Sequence, residues 1–455
     1  MTLRAVNPAT GDLIREYSAH DPRESRAIAA AAGKAFTKWS RTDFPLRAER
    51  LRALATELRR GAEEYARLMA VEMGKPVPQG RAEVEKCAWV AEYYAEEGAG
   101  FLADVPVTTD AGASFVAFRP LGVVLAVMPW NFPFWQVIRA ATPALMAGNT
   151  IVLKHASNVP GCALALEELF RRAGFPDDAF RAVLVDGKGA QRLIRHRAVR
   201  AVTLTGSSVA GQAVAKQAGA SLKKTVLELG GSDPYLVLAD ADLDLAVETC
   251  AASRLINSGQ SCIAAKRFIV VAAVREEFER RFVERMGRAR MGDPLDPATD
   301  VGPQARRDLR DALHAQVTRS RDAGARLLLG GEVPAGAGAY YPPTVLTDVA
   351  SGMAGFDEEL FGPVAAIVPV KDEKAGIRAA NDSRFGLGAA VFTRDEARGR
   401  RIAATALEAG SCFVNGLVKS DPRLPFGGIK ESGYGRELGE FGIREFVNAK
   451  TVWIR

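Results

Sequence analysis

Cysteine and histidine are both scarce in this chain. Five cysteines occur among its 455 residues, at positions 87, 162, 250, 262 and 412, and no two of them form a CxxC pair. The four histidines show no metal-ligand spacing such as HExxH. An odd number of isolated cysteines argues against a disulfide framework and is typical of a protein in a reducing cytoplasm. The pattern also predicts no protein metal site.

Long apolar runs and segregated charge are missing as well. The run GVVLAVMPWNFPFW is broken by two prolines and an asparagine, which argues against a membrane span. The N-terminal MTLRAVNPATGDLI lacks the apolar segment of a secretory signal, so export is not expected. The net charge is +6, and basic residues interleave with acids, as in ERLRALATELRRGAEEY, which indicates solvated helix faces rather than a nucleic-acid surface. We therefore expect a cytoplasmic protein with no membrane and no nucleic-acid partner.

The length and composition indicate a globular protein of two or three domains. A chain of 455 residues, 48% apolar and 25% charged, exceeds the size that one hydrophobic core usually reaches. After a hairpin-like turn at NPATGD, the first part of the chain is predicted to be helical. It begins with a capping box at Asp21 and continues with one long amphipathic pattern from Pro45 to Met73.

From about residue 114 the pattern changes to strands that alternate with helices. Apolar runs such as GVVLAVMP, TIVLKHA and AVRAVTLTG are separated by helical segments, and a second series of the same kind begins after Gly230 and Gly231. Near-continuous Val, Leu and Ile strands between helices are typical of a parallel sheet covered on both faces. The sequence therefore predicts two doubly wound α/β domains, in which ligands bind at the carboxyl ends of the strands.

Cys262 lies in an unusual turn, NSGQSC, between an apolar helical run and a strand-like run. A turn of glycine and small polar residues is suited to presenting a thiol to a substrate and to stabilising its thiolate. The alternative is a buried structural cysteine, which is the usual fate of a free thiol and is expected for Cys87, Cys162 and Cys250.

Two further segments place a polar side chain in apolar surroundings. Glu228 lies in LELGGSDP, and a carboxyl that faces inward there would have the raised pKa of a useful general base. An outward-facing glutamate at a sheet edge is the alternative. Asn131 lies in PWNFPFW, where its amide can donate to an oxyanion or can cap the next helix.

A nucleotide-binding pattern follows one of the predicted strands. In AVTLTGSSVAGQAVAKQ, Gly206 and Gly211 allow a close backbone approach at the start of a helix, which favours a pyrophosphate. The GxxxxG spacing differs from the dinucleotide and P-loop motifs, so a structural glycine turn is equally compatible with it. Lys154, at the end of another strand, can contact ribose or phosphate, or solvent alone.

Seven segments taken together resemble the aldehyde dehydrogenase superfamily. In chain order they are PWNFP, LKHAS, TGSSVAG, LELGGSDP, NSGQSC, EELFGPV and PFGGIKESGYGRELG, and they extend over essentially the whole chain. The segments WNFPFWQVIR, KHASN, LELGGSDP and AAKRFIV look most like the bacterial succinate-semialdehyde dehydrogenase branch. The resemblance implies an NAD(P)-dependent oxidoreductase that converts an aldehyde, first of all succinate semialdehyde, to its acid.

The resemblance also implies roles for individual residues. Cys262 would attack the aldehyde, Asn131 and the backbone N–H of Cys262 would bind the oxyanion, and Glu228 would activate water to hydrolyse a thioester. The residues implied in binding the cofactor, NAD or NADP, are Trp130, Lys154, Ser157, Gly206, Ser207, Glu359 and Phe361. Ser157 stands where strict NAD enzymes of the superfamily often carry a glutamate that repels a 2′-phosphate, so both cofactors are expected to bind.

Two residues are implied in binding the far carboxylate of the substrate. Arg139 and Ser420 match positions that contribute to this in the resembling dehydrogenases, although Arg139 can also be read as a helix-surface arginine. A further arginine of that pattern is replaced here by Ile256, and Arg423 is a candidate to compensate for it.

The resemblance divides the chain into three parts. Residues 1–103 and 120–230 would form the NAD(P)-binding domain, residues 231–430 the catalytic domain, and residues 104–119 and 440–455 the oligomerisation strands. The C-terminal segment reads as an apolar edge strand, which is an aggregation hazard unless it is paired. A homodimer or a homotetramer is therefore expected.

Three other functions stay open at this stage. A hydrolytic dehydrogenase for another short aldehyde or semialdehyde would carry the same residues. A coenzyme A-acylating relative would resolve the thioester with a thiol, and such enzymes generally lack the glutamate found here at 228. A non-catalytic nucleotide-binding relative would be expected to lose Cys262 or Glu228, and both are present.

Overall fold

The protein is described here by a computed structural model that covers residues 2–455. Its helices are α1 (Pro22–Trp39), α2 (Phe44–Arg60), α3 (Ala62–Met73), α4 (Val77–Phe101), α5 (Trp135–Met146), α6 (Pro160–Arg172), α7 (Gly187–Ile194), α8 (Ser208–Gly219), α9 (Leu243–Leu255), α10 (Arg275–Gly287), α11 (Arg307–Asp322), α12 (Ala354–Asp357), α13 (Glu373–Asn381), α14 (Glu396–Arg401) and α15 (Gly439–Arg444). Its strands are β1 (Thr2–Val6), β2 (Leu13–Ser18), β3 (Val105–Pro106), β4 (Ala113–Pro120), β5 (Val123–Val127), β6 (Thr150–Lys154), β7 (Phe180–Ala182), β8 (Val199–Thr205), β9 (Lys224–Glu228), β10 (Pro234–Val237), β11 (Arg267–Val271), β12 (Arg326–Leu329), β13 (Thr344–Thr347), β14 (Val364–Val370), β15 (Phe385–Gly386), β16 (Gly388–Phe392), β17 (Ser411–Val414), β18 (Ile429–Lys430), β19 (Gly433–Tyr434) and β20 (Val447–Ile454). Within residues 2–455, none of the helices is both long and apolar enough to cross a bilayer.

The first large sheet has the strand order β7–β6–β5–β8–β9–β19. Strands β5 to β9 are parallel, and β19 joins the edge antiparallel to β9. The strand order reverses between β5 and β8. In a doubly wound sheet, this reversal marks the crevice outside the carboxyl ends of the strands where ligands bind.

Helices cover both faces of this first sheet. Val124 and Ala126 of β5 belong to a core shared with α2 to α6, whereas Val123 and Leu125 belong to a core shared with α1, α7 and α8. Successive side chains of a strand point to opposite faces, so a strand buried on both sides reads as an uninterrupted apolar run. The predicted doubly wound architecture is confirmed.

The N-terminal helices match the sequence in one respect and depart from it in another. The capping box is confirmed, because the Asp21 side chain accepts hydrogen bonds from the backbone N–H groups of Arg23 and Glu24. The prediction of one continuous amphipathic element from Pro45 to Met73 is wrong, because Gly61 separates α2 from α3. A Cβ at Gly61 would lie 2.5 Å from the ring of Tyr65, so the ring occupies the space that a side chain would need there.

The second large sheet has the order β12–β13–β14–β11–β10–β16–β17. All of its neighbouring pairs are parallel except β12 with β13. Its first strand, β10, begins at Pro234, a few residues after the Gly230 and Gly231 pair that the sequence marks as a boundary. Separate apolar cores lie on its two faces.

A third, three-stranded sheet consists of β3, β4 and β20. Strand β20 pairs antiparallel with β4 along its whole length, from Val447 opposite Pro120 to Ile454 opposite Ala113. These strands fall in the two segments that the sequence associates with oligomerisation. Trp453 and Ile454 are each 51% exposed, which is high for large apolar residues.

Candidate active site

Two cavities meet at Cys262. The larger one, here called the inner cavity, has a volume of about 400 Å³ and is bordered by α4, α5 and the segment that follows β17. The other, here called the cleft, has a volume of about 230 Å³ and lies at the carboxyl ends of β5, β8 and β9. Among the described residues, Cys262 and Gln136 line both cavities. The thiol therefore lies between the sheet-edge cleft and a separate internal space.

The turn that carries Cys262 has an unusual backbone. Asn257 and Ser258 have φ values of 52° and 56°, and Gly259 follows with 75°, so three consecutive residues adopt left-handed conformations. A Cβ at Gly259 would lie 2.1 Å from the carbonyl oxygen of Gly362, and one at Gly231 would lie 2.2 Å from the carbonyl oxygen of Cys262. Glycine is required at both positions because other backbone segments approach so closely.

Cys262 is half-buried, unlike the fully buried Cys87, Cys162 and Cys250. Burial raises the pKa of the Cys262 thiol to about 12, and the positive charge of Arg139 opposes this only in part. The sulfur is thus placed between two cavities, and its raised pKa favours the thiol form at neutral pH. The expected stabilisation of the thiolate by the turn itself is not what the structure shows.

Asn131 is held against the Cys262 turn by backbone and side-chain amides. Its Nδ2 donates to the carbonyl oxygen of Gln260 at 3.1 Å, and its own carbonyl oxygen accepts from Nδ2 of Asn257 at 2.6 Å. The amide nitrogen has two N–H groups, so one is free to donate to another acceptor. Asn131 lines the cleft beside Cys262.

The alternative role of Asn131, capping α5, is not observed. Instead, the carboxylate of Glu83 accepts from the backbone N–H groups at the start of that helix, those of Phe134 and Trp135, at 2.9 Å each.

Glu228 is buried at the end of β9, with 2% of its surface exposed. Neither of its carboxylate oxygens has a hydrogen-bond partner among the described residues. Burial, followed by the nearby Glu437 carboxylate, raises the pKa of Glu228 well above its ordinary value. The outward-facing alternative is therefore wrong. In this conformation the carboxyl lies against Gly427 and not on the wall of either cavity.

Most residues implied in cofactor binding lie around the cleft: Trp130, Gly206, Ser207, Glu359 and Phe361. The Trp130 and Phe361 rings meet edge to face at a centroid distance of 5.6 Å. Glu359 accepts a hydrogen bond from the backbone N–H of Gly231 at 2.9 Å, and its pKa is raised by burial.

Lys154 and Ser157 lie beside the cleft rather than on its wall. Lys154 ends β6, the strand next to β5 in the sheet, and Ser157 follows it as an exposed residue. Burial lowers the pKa of Lys154, and no described acid forms an ion pair with it. An ammonium group without an acidic partner is available to donate to ribose or phosphate oxygens.

Arg139 is not the surface arginine that the sequence leaves open, because only 2% of it is exposed. It lines the inner cavity, yet its guanidinium forms an ion pair with Glu437 and a 3.4 Å hydrogen bond to Oγ1 of Thr205. Its guanidinium is therefore already paired with a carboxyl group of the protein. This placement weakens the case for Arg139 as the main carboxylate-binding group.

Of the other residues that the sequence associates with the substrate, two line the inner cavity and one does not. Ser420 and Ile256 both line the inner cavity. Arg423 does not line it; its side chain is 65% exposed and pairs with Asp421. Arg423 is therefore a wrong choice to replace the charge that is missing at Ile256.

Sequence reasoning missed several residues that shape the site. Gln136 is buried, lines both cavities and has an Oε1 without a hydrogen-bond partner among the described residues. Asn257 and Gln260 join the Cys262 turn to Asn131. Lys86 of α4 extends into the inner cavity. The position of Gln136 within the PWNFPFWQ segment was a usable signal, whereas Lys86 lies in an ordinary amphipathic helix pattern that gave none.

A doubly wound α/β fold with a cysteine between a sheet-edge cleft and an inner cavity is the architecture of a nucleotide-dependent dehydrogenase. The chain belongs to the aldehyde dehydrogenase family, whose family model matches residues 1–452.

Similar proteins extend over the whole chain. It is 49% identical over 451 residues to an Escherichia coli K12 protein named succinate semialdehyde dehydrogenase Sad, for which NAD(P)+ is specified, covering 99% of this chain and 97% of that protein. It is 48% identical over 457 residues to the Mycobacterium tuberculosis H37Rv protein named succinate-semialdehyde dehydrogenase 1, for which NADP+ is specified, covering 100% of both. The crystal structure of succinic semialdehyde dehydrogenase from Streptococcus pyogenes with NADP+ as the cofactor superimposes with a TM-score of 0.97, at 36% identity and 99% coverage of both chains.

Proposed function

We propose that this protein oxidises succinate semialdehyde to succinate with NAD or NADP as the hydride acceptor. The observation that carries the proposal is the position of Cys262 between the cleft, at the sheet's ligand-binding edge, and an inner cavity that contains cationic and hydroxyl side chains. The relatives named above as succinate-semialdehyde dehydrogenases, with NAD(P)+ or NADP+, support the choice of substrate and cofactor.

The first chemical step assigned to this chain is attack of the Cys262 sulfur on the aldehyde carbonyl carbon. The sulfur attacks as the thiolate, so the thiol proton must leave to solvent water before the carbon–sulfur bond forms, and the raised pKa keeps the thiolate fraction small in the free protein. The free N–H of the Asn131 amide and the backbone N–H of Cys262 then stabilise the oxyanion. The hydrogen bond from Asn131 to Gln260 holds the amide in place for this task.

Loss of a hydride from this adduct, which a bound nicotinamide would accept, would leave a thioester on Cys262. The second step assigned to the chain is hydrolysis of that thioester. Glu228 acts as the base that removes a proton from water, and burial, which raises its pKa, makes its carboxylate a stronger base. Its carboxyl must rotate from its place against Gly427 towards Cys262 to do so. Because neither of its oxygens has a hydrogen-bond partner within the described residues, such a rotation breaks no hydrogen bond.

The cleft residues fit a nicotinamide dinucleotide. Ser207 caps α8, and the first N–H groups of that helix point towards the switch point between β5 and β8, which suits a pyrophosphate. Lys154 and Glu359 are suited to the two riboses, and Trp130, Gly206 and Phe361 form the remaining wall. The bound nicotinamide would supply the hydride acceptor.

The side chain at position 157 decides between the two cofactors in this proposal. Ser157 is exposed beyond the end of β6 and carries no charge, so it tolerates a 2′-phosphate near the free ammonium of Lys154. A carboxylate at the same position would repel that phosphate and would bind a 2′-hydroxyl instead.

The division of labour along the chain is also part of the proposal. Residues 1–103 and 120–230 bind the cofactor, residues 231–430 carry the catalytic cysteine, and residues 104–119 with 440–455 join subunits into a dimer or tetramer. The half-exposed apolar side chains on β20 support an interface at the third sheet.

Steady-state assays of the purified protein test the activity directly. Reduced cofactor is followed by absorbance with NAD or NADP, against succinate semialdehyde, other short semialdehydes and butanal, each with and without coenzyme A. We expect the highest kcat/KM with succinate semialdehyde and no requirement for coenzyme A. Dependence on coenzyme A would identify an acylating enzyme, and no turnover of any aldehyde would remove the catalytic function.

A further inference from the structure

The inner cavity contains more than one cation, but the cations differ in their partners. Arg139 is paired with Glu437, and Arg285 is paired with Glu248 at 2.7 Å. Lys419 is exposed to solvent. Lys86 is half-buried, and no described acid forms an ion pair with it. Lys86 is thus the sheltered cation of this cavity whose charge is left without a counter-ion.

The contacts of Lys86 hold its ammonium group in a defined place. Its Nζ donates to Oγ of Ser420 at 2.8 Å and lies 4.2 Å from the centre of the Trp135 ring. An ammonium group has three N–H donors, so two are left for another acceptor. Because the Ser420 oxygen accepts from Lys86, the hydroxyl proton of Ser420 is free to be donated as well. A sheltered positive charge with free donors and no acidic partner is suited to an anion.

We propose that Lys86, together with Ser420, binds the far carboxylate of the aldehyde substrate. The inference rests on the proposed function, and it names the group that supplies the charge missing at Ile256. Both Ile256 and Lys86 line the inner cavity that Cys262 borders, so a substrate whose carbonyl is at the sulfur extends into the space that they share. The cation comes from α4 instead of from the segment that precedes the Cys262 turn.

The charges around Lys86 do not hold its ammonium group fully in the charged form, so a substrate carboxylate would add to them. Burial, followed by the positive charge of Arg139 on α5, lowers the pKa of Lys86 to about 8. Cys87 and Glu83 on α4 and Asp421 on the segment after β17 act in the opposite direction but do not outweigh these effects. A bound carboxylate would favour the charged ammonium form and would hold it there.

The test uses substitutions in the whole protein and two aldehydes of equal chain length. Succinate semialdehyde carries the carboxylate and butanal does not, so the ratio of their kcat/KM values reports recognition of the carboxylate alone. Lys86→Met removes the charge and keeps most of the side-chain stem, Lys86→Arg keeps the charge, and Lys419→Met removes the exposed lysine of the same cavity. Melting temperatures establish that each variant is folded.

We expect Lys86→Met to lower this ratio about 10- to 100-fold, as loss of a hydrogen bond to a charged group does. Lys419→Met should leave the ratio near that of the unmodified protein, and Lys86→Arg should retain most of the preference. An unchanged ratio in a folded Lys86→Met variant would overturn the inference while leaving the proposed substrate standing. If the unmodified protein shows no preference for succinate semialdehyde over butanal, the proposed substrate itself is wrong, and the inference falls with it.

The pH dependence of the unmodified protein is a second readout that does not rely on a variant. The ammonium of Lys86 is present below its pKa of about 8 and is lost as the pH rises through that value. The ratio of kcat/KM for succinate semialdehyde to that for butanal should therefore fall above about pH 8, whereas ionisation of Cys262 affects both aldehydes and cancels in the ratio. In Lys86→Arg the ratio should stay constant over the measurable pH range, because a guanidinium group keeps its charge there. A ratio that is flat between pH 6 and pH 10 would contradict the role of Lys86.

Discussion

Burial raises the pKa of both the Cys262 thiol and the Glu228 carboxyl, because loss of hydration disfavours the charged form of each group. The consequences for the two residues are opposite. A raised pKa leaves Cys262 protonated and less nucleophilic in the free protein, whereas it makes Glu228 a stronger base. The two groups are therefore suited to act in sequence, with the thiol activated only when substrate and cofactor fill the cavities around it.

Alkylation of Cys262 in the cofactor-free protein should depend steeply on pH. Because the pKa of the thiol is raised to about 12, the thiolate fraction should grow about tenfold per pH unit across the neutral range. Mass spectrometry after brief exposure to iodoacetamide measures the rate at this residue separately from the half-buried Cys412. A rate at Cys262 that levels off near neutral pH would mean that its thiolate is stabilised after all.

Replacing Glu228 by glutamine should separate the two halves of the reaction. Glu228→Gln keeps the size of the side chain and removes the base, so one equivalent of reduced cofactor should form rapidly and turnover should then be slow. Stopped-flow absorbance measures the burst. In the unmodified protein the steady-state rate should rise with pH as Glu228 loses its proton, and this rise should be absent from the variant. A variant with an unchanged steady-state rate would exclude Glu228 as the base.

Ser157→Glu should shift the cofactor preference towards NAD. The new carboxylate would lie beyond β6 near Lys154, where it repels a 2′-phosphate and accepts from a 2′-hydroxyl. Because position 157 is exposed, the folded structure should tolerate the change. The kcat/KM values for NAD and NADP, measured with saturating aldehyde, report the shift. An unaltered ratio would place the 2′-position away from residue 157.

At the scale of an element, the segment 257–262 illustrates how a short turn can determine the geometry of a site. Its left-handed residues reverse the chain between α9 and β11, and its amides hold Asn131 beside the sulfur. Ser258 and Gln260 fasten the turn from the other side, by accepting from the backbone N–H groups of Gly302 and Ala305 at 2.9 and 2.8 Å. The turn is thus braced by the segment 302–305 as well as by the segment that contains Asn131.

Gly259→Ala should destabilise the protein and abolish most of its activity. The positive φ of Gly259 alone costs a side chain about 1–3 kcal/mol, and the new Cβ would also collide with the Gly362 carbonyl oxygen. Gly219→Ala is the matched control, because its Cβ meets no neighbouring atom within 4 Å and its φ is ordinary. Calorimetric melting temperatures and kcat/KM are the measurements. Equal effects of the two substitutions would show that the turn has no special requirement for glycine.

At the scale of the whole molecule, the third sheet connects segments that are distant in the chain. It joins β20, near the end of the chain, to β3 and β4, which precede the first strand of the large parallel sheet. Strand β20 lies at an edge of this sheet, and an exposed edge strand is a site at which another chain can pair.

A charged residue on β20 should reduce the oligomeric state. Trp453→Asp places a carboxylate where a large apolar side chain is half-exposed, and it should weaken an interface formed at this sheet. Light scattering coupled to size-exclusion chromatography measures the mass of both forms. The substitution Leu222→Asp, at an exposed residue outside this sheet, is the control and should leave the mass unchanged. A variant with the mass of the unmodified oligomer would place the interface elsewhere.

The amino-acid sequence by itself determined the α/β class and the candidate chemistry, because both depend on local signals. Unbroken apolar strands such as β5 and β8 indicate burial on two faces, and the NSGQSC and LELGGSDP segments contain the residue types that the proposed chemistry needs. The sequence also marked Ser420 and Ile256 as positions that concern the substrate, and both line the inner cavity.

Only the tertiary structure decided which charges are free. Arg139 forms an ion pair with Glu437, a residue almost three hundred positions away in the sequence. Lys86 lacks such a partner, although it donates to Ser420 across a similar separation. Whether a charged side chain is paired or available is a property of the distances between remote segments, and no local pattern of residues records those distances.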